Sequence, residues 1–276
     1  MQRGDETDVL IVGGGVVGCA IARELSLFDL RVTLLEAGPD VGAGTSKANT
    51  ALLHTGFDAK PGTLEAELVV RGYERLAAYA PRVGIPVERT GALLVAWDER
   101  QMAELPGIVE RSRANGYDAI AEVSAEELYR REPHLGPGAL GALEVPDEGI
   151  ICPFTTPLAF ATEAVLAGCD LRRGTAVSAI ERLPEGGGFR IHTGGGGEWH
   201  TSFLVNAAGL RSDEVDRMLG HDQFTVTPRR GELIVFDKLS RPLVSHIVLA
   251  VPTKITKGVL IAPTVFGNVM LGPTAE

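Results

Sequence analysis

Three glycines and one acid carry the clearest chemical signal in the chain. Gly13, Gly15 and Gly18 stand in Gly-x-Gly-x-x-Gly spacing, and Glu36 follows at the end of the next apolar run. A glycine at 13 permits a tight turn out of a strand, and one at 15 lets backbone N–H groups approach a pyrophosphate with no Cβ in the way. Gly18 lets the following helix pack closely on a sheet. Phosphate at that helix N-terminus meets unpaired N–H groups and the positive end of the dipole. The Glu36 carboxylate would accept hydrogen bonds from ribose hydroxyls and repel a 2′-phosphate. The chemistry is docking of an adenine dinucleotide.

The elements that must position these residues are legible on either side. Asp8–Val12 is a short continuous apolar run, as expected of a strand buried on both faces. Val17, Ala20, Ile21, Leu25 and Phe28 then fall on one helical face, and Arg31–Glu36 reads as a second strand ending in the acid. Between Gly42 and Gly56 the chain is small and polar, and too long for a simple connection. Main chain there could run along a flat ring system.

Gly13–Glu36 followed by Thr45-Ser46-Lys47-x-Asn49 and His54-x-Gly56 resembles the FAD-dependent oxidoreductases related to D-amino-acid oxidase. Within them the chain is most similar to the anaerobic-type glycerol-3-phosphate dehydrogenase large subunit. L-2-hydroxyglutarate oxidase is a close cousin that shares the form Lys60-Pro-Gly-Thr-Leu64. Further landmarks are Gly149–Pro153, Asn206-Ala-Ala-Gly209, Pro228–Glu232 and Pro263–Thr274.

The resemblance implies an α/β fold: a Rossmann-like FAD-binding domain with a β-meander, interleaved with a β-rich substrate domain. It implies FAD as cofactor, contacted by Gly13, Gly15, Val16, Val17, Gly18, Glu36, Ala37, Thr45, Ser46, Lys47, Asn49, Val177, Ala208 and Gly209. The implied reaction is oxidation of sn-glycerol 3-phosphate to dihydroxyacetone phosphate by hydride transfer to flavin N5. A quinone or an electron-transfer subunit would then take the electrons. An L-2-hydroxy acid or an amino acid is the alternative substrate, and a non-catalytic nucleotide-binding fragment is the alternative class. The resembled enzymes continue well past a Gly-Pro-Thr such as Gly272–Thr274, so the chain is expected to be C-terminally truncated.

The catalytic candidates are His54, an imidazole that could remove the substrate's hydroxyl proton or neighbour the flavin, and Lys47, a cation that could offset charge on the reduced ring. Arg229 and Arg230 are the substrate-binding candidates, because guanidinium forks suit phosphate or carboxylate. Lys254 and Lys257 could add charge, and Glu232 leaves the identity of the proton acceptor open. The partner expected is therefore a small anionic substrate.

Composition bounds the rest. In 276 residues, 26 Lys+Arg oppose 36 Asp+Glu, a net charge of −10, and 45% of residues are hydrophobic. That is a globular profile with no basic footprint for nucleic acid. Cys19, Cys152 and Cys169 stand singly, without metal-ligand spacing, so buried thiols in a reducing compartment are expected and a metal is not. No apolar run reaches the 18 or so residues of a membrane span. These features point to a cytoplasmic protein, and the resemblance leaves room for a peripheral seat at the inner face of the membrane.

Periodicity predicts a helix over 61–80, a strand at Gly91–Ala96, a helix over Asp98–Gly116 interrupted by Pro106, and a capping box at Ser124–Glu127. It predicts a helix at Thr155–Gly168, a three-stranded antiparallel meander from Ala176 to Val205, and β-rich chain beyond Val226, its first strand being Glu232–Phe236. Four prolines between Glu132 and Pro153 suggest a crossing between domains. The expected FAD-binding domain is 1–85 with 150–220, and the substrate domain 86–149 with 221–276.

Overall fold

The computed structural model describes residues 5–252 and 258–274. In chain order its first half runs β1 (Asp5–Val12), α1 (Val16–Leu25), β2 (Val32–Leu35), β3 (Leu52–Leu53), α2 (Leu64–Tyr79), β4 (Val87–Glu88), β5 (Ala92–Ala96), α3 (Glu99–Ala114), β6 (Ala121–Ser124), α4 (Ala125–Arg131), β7 (Gly141–Val145) and β8 (Gly149–Ile151). Then follow α5 (Thr155–Leu166), β9 (Asp170–Arg172), β10 (Val177–Arg182), β11 (Phe189–Thr193), β12 (Glu198–Asn206), α6 (Ser212–Met218), β13 (Ile234–Phe236), β14 (Ile247–Ala250), β15 (Leu260–Pro263) and β16 (Val269–Gly272). The chain divides into two compact units, Met1–Ala48 with Pro153–Pro228 and Asn49–Cys152 with Arg229–Glu276.

The first unit is built on a six-stranded sheet in the order β10-β11-β12-β1-β2-β9. β1 runs parallel to β12 and β2, and β2 parallel to β9, while β10, β11 and β12 form the antiparallel meander. β1 is buried on both faces, as its apolar run requires. Val9 and Ile11 pack with Cys19 and Ala22 of α1 and Ala161 and Ala164 of α5. Leu10 and Val12 pack on the other face with Ile191, Trp199 and Val215 of α6. Each such side chain removed from water contributes about 1.5–3 kcal/mol. All three cysteines are buried, and none is in a disulfide.

The second unit holds a seven-stranded sheet, β13-β16-β15-β14-β5-β7-β6, and a small one, β3-β8-β4. β5 is parallel to β14 and antiparallel to β7. Its wholly apolar residues again serve two faces: Leu94 packs with Phe57, Leu105, Ile108, Leu143 and Ile150, whereas Leu93 and Val95 pack with Val123 and Leu128.

Three expectations need correction. Residues 49–85 fall in the second unit and not with the dinucleotide-binding segment, because β3 pairs with β8, which also carries β4. The proline-rich stretch does carry the crossing, at its very end: β7 and β8 lie within it, and the chain changes unit between Cys152 and Pro153. Pro106 does not break α3, which runs on from Glu99 to Ala114. Leu105 and Ile108, beside it, are 3% and 1% exposed, and that burial offsets the lost backbone hydrogen bond. The strand after Arg230 begins at Ile234, later than Glu232. Lys254 and Lys257 lie outside the described residues.

Candidate functional site

β1 delivers the chain at Val12 into a turn that only glycine can make. Gly13 has φ 107°, and a Cβ there would lie 2.4 Å from the Ala207 carbonyl oxygen. At Gly18, on the buried side of α1, a Cβ would lie 1.9 Å from the Gly13 carbonyl oxygen. The two glycines therefore let the loop, the first helix and the Asn206–Gly209 strand end pack against one another. Gly15 caps α1 in extended backbone and brings no side chain to bond the first turn. The Val16 N–H donates to Ser46 Oγ at 2.9 Å, which ties the Gly42–Gly56 loop to the helix start.

Glu36 lies just past β2. Its Oε2 accepts the Gly14 N–H and its Oε1 the Gly38 N–H, each at 2.6 Å. Its own backbone is fixed by Arg172 O and by the Thr175 N–H, both at 2.8 Å. The carboxylate is thus aimed at the glycine turn by four hydrogen bonds and keeps further lone pairs for a ligand's hydroxyls.

These elements enclose a crevice of about 760 Å³, within the size range of small-molecule and cofactor sites. Gly13, Gly15, Val16, Val17, Glu36, Ala37, Thr45, Ser46, Val177, Ala208 and Gly209 all line it. Gly18 sits buried beneath it. Lys47 is exposed and Asn49 accepts the Ala51 N–H; neither is among the lining residues. Sequence reasoning missed Thr175 and, at the start of α6, Arg211, Ser212 and Glu214, which also line the crevice. The small Ala-Ala-Gly209 strand end was the available pointer to that wall.

A separate cluster of titratable groups lies within the second unit. His54 follows β3 and Glu148 precedes β8, so the pairing of those strands brings them together. His54 Nδ1 is 2.9 Å from Glu148 Oε1 and Nε2 is 3.0 Å from Asp58 Oδ1. The ring also meets Phe57 edge-on at 5.6 Å. Glu148 Oε1 further accepts the Thr55 N–H and hydroxyl, both at 2.7 Å. Burial pushes the imidazolium down, but the hydrogen bonds to Asp58 and Glu148 outweigh it and raise His54 from 6.5 to about 9. Beside this group the Tyr117 hydroxyl donates to Asp147 Oδ2 at 3.1 Å, and Tyr73 donates to the Asp147 carbonyl at 2.9 Å. Burial pushes both phenols up, which keeps them protonated.

The family model for FAD dependent oxidoreductases matches residues 8–276. The chain belongs to that family. A glycerol 3-phosphate dehydrogenase of Caloramator mitchellensis is 38% identical over 269 residues, covering 98% of this chain and 55% of that protein. The chain thus spans about half the length of that curated relative. An L-2-hydroxyglutarate dehydrogenase of Escherichia coli O17:K52:H18 is 30% identical over 273 residues, covering 97% of this chain and 64% of that one. Among solved structures, the dithionite-reduced L-alpha-glycerophosphate oxidase from Mycoplasma pneumoniae with FAD bound superposes with a TM-score of 0.93. It is 32% identical, and the match covers 99% of this chain and 72% of that one.

FAD is the cofactor of the family, and the crevice suits it on three counts: the glycine turn that lines it, the helix start whose cap residue Gly15 brings no side chain, and the fixed carboxylate. The substrate-binding candidates are less organised. Arg229 and Arg230 are exposed on the stretch before β13, and Arg230 is ion-paired with Glu232. Within the described residues, no helix is long and apolar enough to cross a membrane.

Proposed function

We propose that this chain serves the oxidation of sn-glycerol 3-phosphate to dihydroxyacetone phosphate. Bound FAD would supply the hydride acceptor, at flavin N5, for the C2 hydrogen of the substrate. The first-turn N–H groups of α1 hold the pyrophosphate, and the absence of Cβ atoms at Gly13 and Gly15 lets it approach. Glu36 accepts the ribose hydroxyls while Gly14 and Gly38 hold its orientation. Thr45 and Ser46 present main chain and hydroxyls from the crevice wall, with Lys47 on the same segment as the cation that offsets charge on the reduced cofactor. Arg229 and Arg230 bind the substrate's phosphate. The substrate's hydroxyl proton goes to a protein base, and the electrons pass on to a quinone or an electron-transfer subunit.

The observation that carries the cofactor half is the fixed Glu36 carboxylate, bonded to the glycine turn at Gly14 and lining the crevice. The glycerol-phosphate names of the 38% relative and of the structure with a TM-score of 0.93 support the substrate half. Anaerobic addition of candidate substrates to the FAD-loaded protein tests it. Loss of the yellow colour with glycerol 3-phosphate is expected. Loss with L-2-hydroxyglutarate alone would move the assignment to the hydroxy-acid enzymes, and no FAD uptake at all would leave a protein without this chemistry.

A further inference from the structure

Glu148 is wholly buried, yet its two oxygens are treated very differently. Oε1 takes His54 Nδ1 and both donors of Thr55, whereas Oε2 has no hydrogen-bond partner. A carboxylate taken out of water with one oxygen unsatisfied is costly unless a cation compensates it. The His54 ring is the group positioned to do so, and its other nitrogen is held by Asp58, which is 12% exposed.

Hydrogen-bond arithmetic then fixes the proton count. A neutral imidazole carries one N–H, and ionised carboxylates only accept. A ring bonded to carboxylates through both nitrogens must carry both protons. The groups facing it are Asp58, Glu148 and the edge-on Phe57 ring, with Asp147, Tyr117 and Tyr73 beyond Glu148.

We propose that Glu148 and Asp58 are positioning residues that hold the His54 ring as an imidazolium, so that His54 meets the anionic substrate as a fixed positive charge and takes no proton from its hydroxyl. This assignment rests on the proposed oxidation and replaces the expectation of His54 as the base. Glu148 fixes the ring from the buried side; Asp58 fixes it from the more open one. Neither lone pair is available while both bonds stand.

Proton and nitrogen NMR of the histidine rings, with His54 assigned from the His54→Gln spectrum, tests the assignment without relying on turnover. Both His54 nitrogens should be protonated at neutral pH, and the ring should titrate near 9. Glu148→Gln keeps the acceptor oxygen and removes the charge, so the midpoint should fall by about one pH unit or more, a tenfold change in proton affinity. Asp58→Asn should lower it by less, because Asp58 is closer to solvent. A wild-type ring that is neutral at neutral pH overturns the proposal, as does a midpoint unmoved in both variants. If Glu148→Gln fails to fold, the wild-type spectrum and Asp58→Asn still decide.

In the FAD-loaded protein, the half-saturating concentration of glycerol 3-phosphate should rise as pH passes about 9. Flavin reduction that instead switches on through the ordinary histidine range would make His54 a base and refute the assignment. FAD uptake with a neutral His54 defeats this proposal alone. A doubly protonated His54 in protein that takes up no FAD defeats only the functional reading.

Discussion

The crevice of the first unit and the His54 cluster of the second solve opposite electrostatic problems. The crevice handles a ligand's negative charge with backbone, namely a glycine turn and a helix start whose cap residue, Gly15, brings no side chain. The cluster handles charge with side chains, setting two carboxylates on one imidazole and burying one of them completely. Backbone donors are fixed by the fold and work at any pH, whereas the clamp works only while its ring is protonated. A site made from missing atoms is broken by adding one; a site made from charges is broken by removing one.

The largest effect should follow removal of the ring. His54→Ala leaves Glu148 buried without its cation, and urea unfolding should show a loss of about 3 kcal/mol or more. Gly18→Ala comes next, since its Cβ would meet backbone at 1.9 Å and α1 must shift. A stability loss of about 1–3 kcal/mol is expected, together with loss of FAD uptake. That variant should leave the His54 ring spectrum unchanged, which separates the two regions directly.

Glu36→Ala should weaken FAD binding by about 1.5–3 kcal/mol, the range for hydrogen bonds to a charged group, measured by flavin fluorescence titration. The pH dependence of stability gives a further contrast. His54 is raised in the folded state, so its contribution is complete below 6.5 and is lost as pH rises through about 9. Asp213 is lowered, chiefly by the Val226 N–H, so its contribution is present above 3.8 and lost only in more acid solution. Thermal unfolding across pH should show decline at both ends, and His54→Gln should flatten only the alkaline one. The smallest effect is expected of Lys47→Ala: exposed, it should change stability by less than about 0.5 kcal/mol.

The two regions also differ in how far the sequence disclosed them. The crevice was readable because its parts are local. A glycine spacing, an apolar run and a terminal acid lie within Val9–Glu36, and Ala-Ala-Gly209 repeats the signature of small residues ending a strand. The clamp was not readable, since His54 and Glu148 lie 94 residues apart and meet only because β3, two residues long, pairs with β8. So short a strand has no periodicity to detect, and the boundary at Ala48 was lost with it. The one local signal of Glu148's burial is its place a single glycine before the apolar Ile150–Cys152 run. Pro106 misled for a related reason, because local propensity yields to the packing of Leu105 and Ile108.

The most direct test of the central claim is titration of FAD into the purified chain, followed by flavin fluorescence, alongside the Glu36→Ala protein. Saturable uptake by the wild type, weakened about tenfold or more by the substitution, is the result predicted. Uptake that is absent in the wild type, or equally strong without the Glu36 carboxylate, would contradict it.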